Sequence, residues 1–362
     1  MTLLEKTIKA IKCASREKLA KAWAHLDQLA KPIRSLGVLE TLAARIAAMT
    51  GSFDYDISKG EVVVFCADNG VCKEGVSSCP QEITRQVTLS FTRGITGVCA
   101  LARSVGAGLT VIDVGVKDLA QTEGIVFKKV MPDGTNNIAQ GPAMTKEAAV
   151  SAVEVGIGTV LQRHRAGVRL FATGEVGIGN TTAAAAVLSA LSGLSPDVTV
   201  GRGAGLDDTQ LENKRRIVKK ALETNKPDRD DAIDVIAKVG GLDIAGMCGA
   251  FLAAASVKAP VVIDGYISCV AALCAKKLCP ASADYMIASH LSTEPGAIFT
   301  LQELGIEPVL HMHMRLGEGT GAVLMFPIIR AALDIARNMA TFSQASISSG
   351  EYLDKWAADQ HP

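Results

Sequence analysis

Apolar positions along this chain fall into two regimes. Through the first 50 residues they recur at helical spacing: Leu4, Ile8 and Ile11, then Leu19, Trp23, Leu26 and Ala30. KPIRSLGVLE (31–40) turns the chain. Pro32 ends one helix there, and Leu39, Leu42, Ile46 and Met49 open another that Gly51 closes. From residue 61 short apolar runs alternate with longer Ala-rich stretches. The runs are EVVVFCA (61–67), LTVIDVGV (109–116), RLFATG (169–174), PVVIDG (260–265), DYMIAS (284–289) and EPVLHM (307–312). Continuous apolarity, rather than alternation, predicts strands covered on both faces, hence a parallel sheet with crossover helices. No fixed-period repeat is evident, and the final ~20 residues read as a polar tail.

Most of these runs end in polar or glycine-bearing residues. Val64-Phe65 leads to Asp68-Asn69-Gly70, Phe171 to Gly174-Glu175, Val262-Ile263 to Asp264-Gly265, and Ile287 to Ser289-His290. One such ending is an ordinary capping turn. Four together predict a functional rim, because open parallel sheets bind ligands beyond the carboxyl ends of their strands.

Composition narrows the class. Aromatic residues are only 4% of the 362 against 48% apolar, so the core is expected to be closely packed Ala, Val, Ile, Leu and Met. Lys+Arg and Asp+Glu both number 37, which leaves no net field to attract nucleic acid or an acidic membrane. The basic clusters Lys214-Arg215-Arg216 and Lys219-Lys220 read as a solvated helix face. Residues 240–275 are apolar, but Asp243, Lys258 and Asp264 interrupt every window near the ~20 residues a membrane span needs. The charged N-terminus lacks a signal-peptide pattern, and a soluble, cytoplasmic protein is expected. Nine cysteines without a CxxC pair read as free thiols of a reducing compartment. His311 and His313, two apart on an expected strand, are too few to predict a metal site.

Three segments carry candidate chemistry. GEVGIGNTTAAAA (174–186) follows a strand and enters a helix. Its glycines admit close backbone approach, and Asn180, Thr181 and Thr182 offer polar groups at a helix N-terminus, which suits a phosphate. Simple capping needs one such residue, so the anion site is the favoured reading. It is not the dinucleotide fingerprint, since Thr182 stands where that motif needs glycine. GRGAGLDDTQLENKRR (201–216) is a glycine-rich turn into a helix whose Lys214 is either a phosphate ligand or, as composition alone favours, a surface residue. In RLGEGTGA (315–322), Glu318 stands between two glycines. Partly desolvated, it is a candidate general base; in a solvated loop it is an ordinary glutamate. GTNNIAQGPAMT (134–145) is rich in amides and reads equally well as a turn.

Taken in order, KPxxSLGxLE, ADNGV, EGVSSCPQEIT, TRGxTGVCALA, TVIDVGV, GTNNIAQGPAMT, GEVGIGNTT, VIDGYIS, IASHLSTEPG and LHMHMRLGEGTGA resemble the nicotinate-nucleotide:dimethylbenzimidazole phosphoribosyltransferases, over residues ~20–345. That resemblance implies an α/β fold with a doubly wound, Rossmann-like sheet and helices on both faces over 61–329. It also implies a small helical domain from 1–60 plus 330–362, and a site completed across a dimer. The implied substrates are nicotinate mononucleotide and an aromatic lower-ligand base, joined with inversion to an α-riboside phosphate without metal or cofactor. Glu318 falls on the family's general base, and Glu175 on a glutamate that supports substrate or ribose. Gly177, Asn180, Thr181, Thr182, Gly203 and Lys214 fall on nucleotide and phosphate segments. Cys79, Pro80, Val87, Val176 and Leu316 fall on the base pocket. Cys79, Val87 and Val176 depart from common family residues, as does Asn69, where many members have His. One branch of the family pairs two related subunits and activates phenol or p-cresol, and those departures fit it as an alternative. A non-catalytic nucleotide-binding partner and a nicotinamide-dependent oxidoreductase are the readings from other classes. Glu318 argues against the first and the missing fingerprint against the second.

Overall fold

Six runs of buried residues are drawn into one sheet in the computed structural model, which describes residues 1–348. They are β1 (Gly60–Ala67), β2 (Gly108–Gly115), β3 (Ile125–Phe127), β4 (Leu170–Val176), β5 (Val261–Ile263) and β6 (Met286–Ala288). Their order is β3-β2-β1-β4-β5-β6, with every neighbouring pair parallel. All residues of β1 and β4 are buried, as continuous apolarity predicts for strands covered on two faces. The order reverses at β1, with β2 on one side and β4 on the other. Ligands of a doubly wound sheet usually bind beyond the carboxyl ends of its strands, near such a reversal.

Two strand expectations need correction. Residues 307–312 form no strand: only Leu310 bridges to His290, and the chain then reaches a left-handed His313 (φ 54°) with Met312 and Leu316 exposed. His311 and His313 thus share no strand face. In its place the sheet takes β3, three residues paired to the middle of β2 and too short to stand out as an apolar run.

Glycine and alanine set the helix spacing. The helices Lys146–Arg165 and Leu242–Ser256 approach so closely that a Cβ on Gly156 or Gly249 would strike the other helix's backbone. An aromatic-poor, Ala-rich sequence packs by such close approach.

The chain divides into two compact units, Met1–Cys13 with Ser58–Met325, and Ala14–Ile57 with the residues from Phe326 on. Met1–Cys13 does not group with the other N-terminal helices, as the division at residue 60 had expected. The Leu4 amide donates to Glu154 (2.9 Å) and the Tyr285 hydroxyl to the Lys12 carbonyl (2.9 Å), which ties this segment to the sheet unit. The second unit contains the helices Arg16–Asp27 and Val38–Thr50, the latter closed by a left-handed Gly51 as expected. Between them, KPIRSLGVLE folds around a buried ion pair, Lys31 Nζ to Glu40 Oε2 at 2.8 Å. The other Glu40 oxygen accepts from the Leu36 amide (2.9 Å). Arg34 forks onto Asp27 and lies 3.7 Å over the Trp23 ring. From residue 349 the expected polar tail lies outside the described residues.

Candidate active site

Beyond the carboxyl ends of β4 and β5 lies a cleft of about 230 Å³. It gathers residues from several sequence-distant segments. β4 ends in Glu175-Val176, and GIGNT continues from it. The loop after residue 200 adds Gly203, and the helix Asp208–Asn225 adds Lys214. Leu316 and Glu318 arrive from the last glycine-rich turn and Val87 from the helix Glu82–Thr92.

Glu318 is the tightest construction. Gly317, Glu318 and Gly319 all have positive φ (87°, 63° and 91°), so a non-glycine residue is held in a region costing about 1–3 kcal/mol. Asp264, at the end of β5, pins this turn. Its Oδ2 accepts from the Gly319 amide (3.1 Å) and its Oδ1 from the Ala322 amide (2.9 Å). The turn directs the Glu318 carboxylate to the N-terminus of the helix Gly97–Val105, where Oε2 accepts from the Val98 N–H at 3.0 Å. Burial raises the Glu318 pKa, the Val98 N–H opposes the rise, and the Asp264 charge adds to it. A carboxylate in this setting is a base of more than ordinary strength.

Glu175 is also buried. Its pKa is raised well above the usual range by burial, then by the charges of Asp243 and Asp264. Asn180 donates one side-chain hydrogen bond to Glu175 Oε2 and another to Asp243 Oδ2, the latter at 3.2 Å. Asn180 is not a helix cap: Gly179 holds that position, and the amide of Asn180 is spent on carboxylates.

Lys214 is fully buried, against the surface reading its composition favoured. Its Nζ donates to Thr181 Oγ1 (2.7 Å) and the Gly201 carbonyl (3.1 Å), and burial lowers its pKa to about 8. Beside it, Glu294 Oε1 accepts from the Gly203 amide (2.8 Å), while buried Oε2 has no hydrogen-bond partner among the described residues.

The cleft therefore unites Glu175, Val176, Gly177, Asn180, Thr181, Gly203, Lys214, Val87, Leu316 and Glu318. Three expected residues fall outside its lining. Thr182 is wholly buried within its helix. Cys79 and Pro80 turn away after Ser77, whose Oγ takes the Cys79 amide (3.2 Å), while Ser78 reaches the Ala204 carbonyl (3.3 Å). Reasoning from sequence had marked Asp264 and His290 only as strand endings, and Glu294 only within a motif. Asp243 had counted only as an interruption of an apolar stretch. A lone carboxylate in so apolar a segment was the available signal. Among the described residues no group of three or more His, Cys, Asp or Glu is arranged to hold a metal ion, and no helix is long and apolar enough to cross a membrane.

Comparison with known proteins places this geometry in context. A family model described as phosphoribosyltransferase matches residues 11–347. The nicotinate-nucleotide–dimethylbenzimidazole phosphoribosyltransferase of Clostridium tetani is 49% identical over 353 residues, 98% of this chain and 97% of that protein. Its namesake from Acetivibrio thermocellus is 47% identical over 345 residues, 95% of this chain and 98% of the relative. The crystal structure of CobT from Thermus thermophilus superposes with a TM-score of 0.89 at 43% identity, covering 92% of this chain and all of that one.

Proposed function

The chain belongs to the phosphoribosyltransferase family, and from that premise we propose that it moves the 5-phosphoribosyl group of nicotinate mononucleotide to a dimethylbenzimidazole-type base. The curated relatives named for that reaction, aligned nearly end to end, support the substrate pair. The observation that carries the chemistry is the presence in one cleft of the buried Glu318 carboxylate and the buried Lys214 ammonium.

In this reading Lys214, Thr181 and the backbone at Gly177 and Gly203 hold the nucleotide phosphate, and Glu175 with Asn180 receives the ribose. Val87, Val176 and Leu316 take the flat face of the incoming base. A ring nitrogen of the base attacks the anomeric carbon as the bond to the nicotinate ring nitrogen breaks. That electron pair neutralises the pyridinium, and nicotinate leaves. Glu318 accepts the N–H proton of the base, so charge balances without a metal or cofactor. Attack opposite the leaving group inverts the centre and gives the α-riboside 5′-phosphate. Holding both partners in line supplies much of the acceleration, and proton removal typically adds 10²–10⁴-fold.

A phenol nucleophile is the second reading, favoured by Val87 and Val176 in the cleft lining; Cys79 lies outside it. The reading includes a cytoplasmic dimer, either of this chain alone or with a paralogous subunit. Light scattering of the purified chain, alone and with that subunit, tests the assembly. For the chemistry, Glu318→Gln keeps the shape and the hydrogen bond from Val98 but removes the base. It is expected to lower kcat at least 100-fold with nicotinate mononucleotide and dimethylbenzimidazole, while nucleotide binding by calorimetry stays within about threefold. Unchanged kcat would remove Glu318 from the mechanism.

A further inference from the structure

Asp243 is fully buried at the start of the helix Leu242–Ser256 and is given no part in the reaction above. Its Oδ1 accepts from the Ile244 amide (2.9 Å) and its Oδ2 from Asn180 Nδ2 (3.2 Å). The second N–H of that same Asn180 amide goes to Glu175 Oε2. One side-chain amide thus ties together two carboxylates from different elements, the end of β4 and the start of the Leu242–Ser256 helix. Among the described residues neither carboxylate forms an ion pair.

The packing around this link leaves it no slack. A Cβ at Gly177 would strike the Ala67 carbonyl and lie 2.9 Å from Asn69 Nδ2 and 3.4 Å from Asp243 Oδ2. A Cβ at Gly241 would strike Asp243 Oδ1. The loop backbone that lines the cleft therefore rests directly on Asn69 and Asp243. Two polar atoms of the buried Asn69, without a hydrogen-bond partner among the described residues, complete this polar layer.

We propose that Asp243 is a positioning residue of the active site: it holds Asn180 by one N–H so that the other fixes the Glu175 carboxylate toward the substrate ribose. Buried polar groups need partners, and Asn180 without Asp243 has a free N–H and a second orientation open to it. The inference rests on the reading of Glu175 as a substrate-binding residue.

The test is a double-mutant cycle on the full chain, using Asp243→Ala, Asn180→Ala and both together, with Glu175→Ala alongside. Steady-state kinetics with nicotinate mononucleotide and dimethylbenzimidazole supply kcat and KM. Asp243→Ala is expected to lower kcat about 10- to 100-fold with KM for the nucleotide within about threefold. The double variant is expected to fall within about twofold of Asn180→Ala, because both changes break the same link. Losses that multiply, or an Asp243→Ala kcat within twofold of the parent, overturn the inference.

Asp243→Asn keeps the side-chain shape and provides a pH readout in case the alanine variant does not fold. The charged groups facing Glu175 are Asp243, Asp264 and Glu318; His290 faces Asp264, and the Cys66 thiol lies near Glu175 and Asp243. Removing the Asp243 charge lowers the Glu175 pKa, so the Glu175 carboxyl carbon, followed by 13C NMR, titrates at lower pH in the variant than in the parent; an unmoved titration overturns the proposal. Full activity of Glu175→Ala would instead remove the reading of Glu175 itself, whatever Asp243 does.

Discussion

Replacing Asp243 by Asn should stabilise the protein at alkaline pH relative to acid pH even as it slows turnover. Burial lifts the Asp243 pKa from 3.8 to about 6. Since the folded value lies above the unfolded one, the folded state holds the proton more tightly. That stabilisation is complete below about pH 4 and is lost as pH rises through about 6. The shift of roughly 2 units corresponds to about 3 kcal/mol, of which about half is lost between pH 5 and pH 8. Asparagine has no charge to bury. It also surrenders one of the two acceptors that serve Ile244 and Asn180, at a cost of about 1–3 kcal/mol that does not depend on pH. The pH-dependent part therefore isolates the charge. The difference in Tm between variant and parent should become more favourable to the variant by about 2 °C from pH 5 to pH 8, by scanning calorimetry or fluorimetry. A difference that stays constant across that range would refute a carboxyl group strained by burial. Such a residue, kept at some cost in stability, is what a site built for positioning is expected to contain.

Other perturbations test separate parts of the structure. Glu294→Gln removes a buried negative charge beside Lys214 and should tighten inorganic phosphate binding about tenfold in calorimetry; weaker binding would place the anion elsewhere. Gly177→Ala drives a Cβ into the Ala67 carbonyl and should cost more than tenfold in kcat/KM, whereas full activity would show that the loop has room. Lys31→Ala strands the Glu40 carboxylate and should lower stability by about 3–5 kcal/mol in denaturant titrations, with Lys31→Met/Glu40→Leu recovering most of it.

How far the sequence could be read depended on whether the signal was local. β1 and β4 were legible because strands buried on both faces need continuous apolar runs. Gly51 was legible because a helix end needs a left-handed residue. Glu318 stood out because two glycines flank it, and in the fold all three take positive φ. EPVLHM misled because apolarity alone does not supply a pairing partner; β6 is already the sheet's edge, and the segment gains a single bridge. Lys214 looked like one of a basic cluster on an exposed helix, since nothing local tells which member turns inward. Cys79 and Pro80 were assigned with their motif, but a turn at Ser77 and Ser78 decides which side chains meet the cleft. Asp243, Asp264 and Glu294 were the hardest to find. Their roles arise only when β4, β5 and three loops converge, and each lies in a segment whose local pattern is that of plain core or turn.

Product analysis of the purified chain bears most directly on the whole account. Incubated with nicotinate mononucleotide and dimethylbenzimidazole, it should release nicotinate and form the riboside phosphate in equal amounts, with NMR reporting the α configuration at the anomeric carbon. Nicotinate release without a riboside, a β product, or no turnover of this pair would contradict the account.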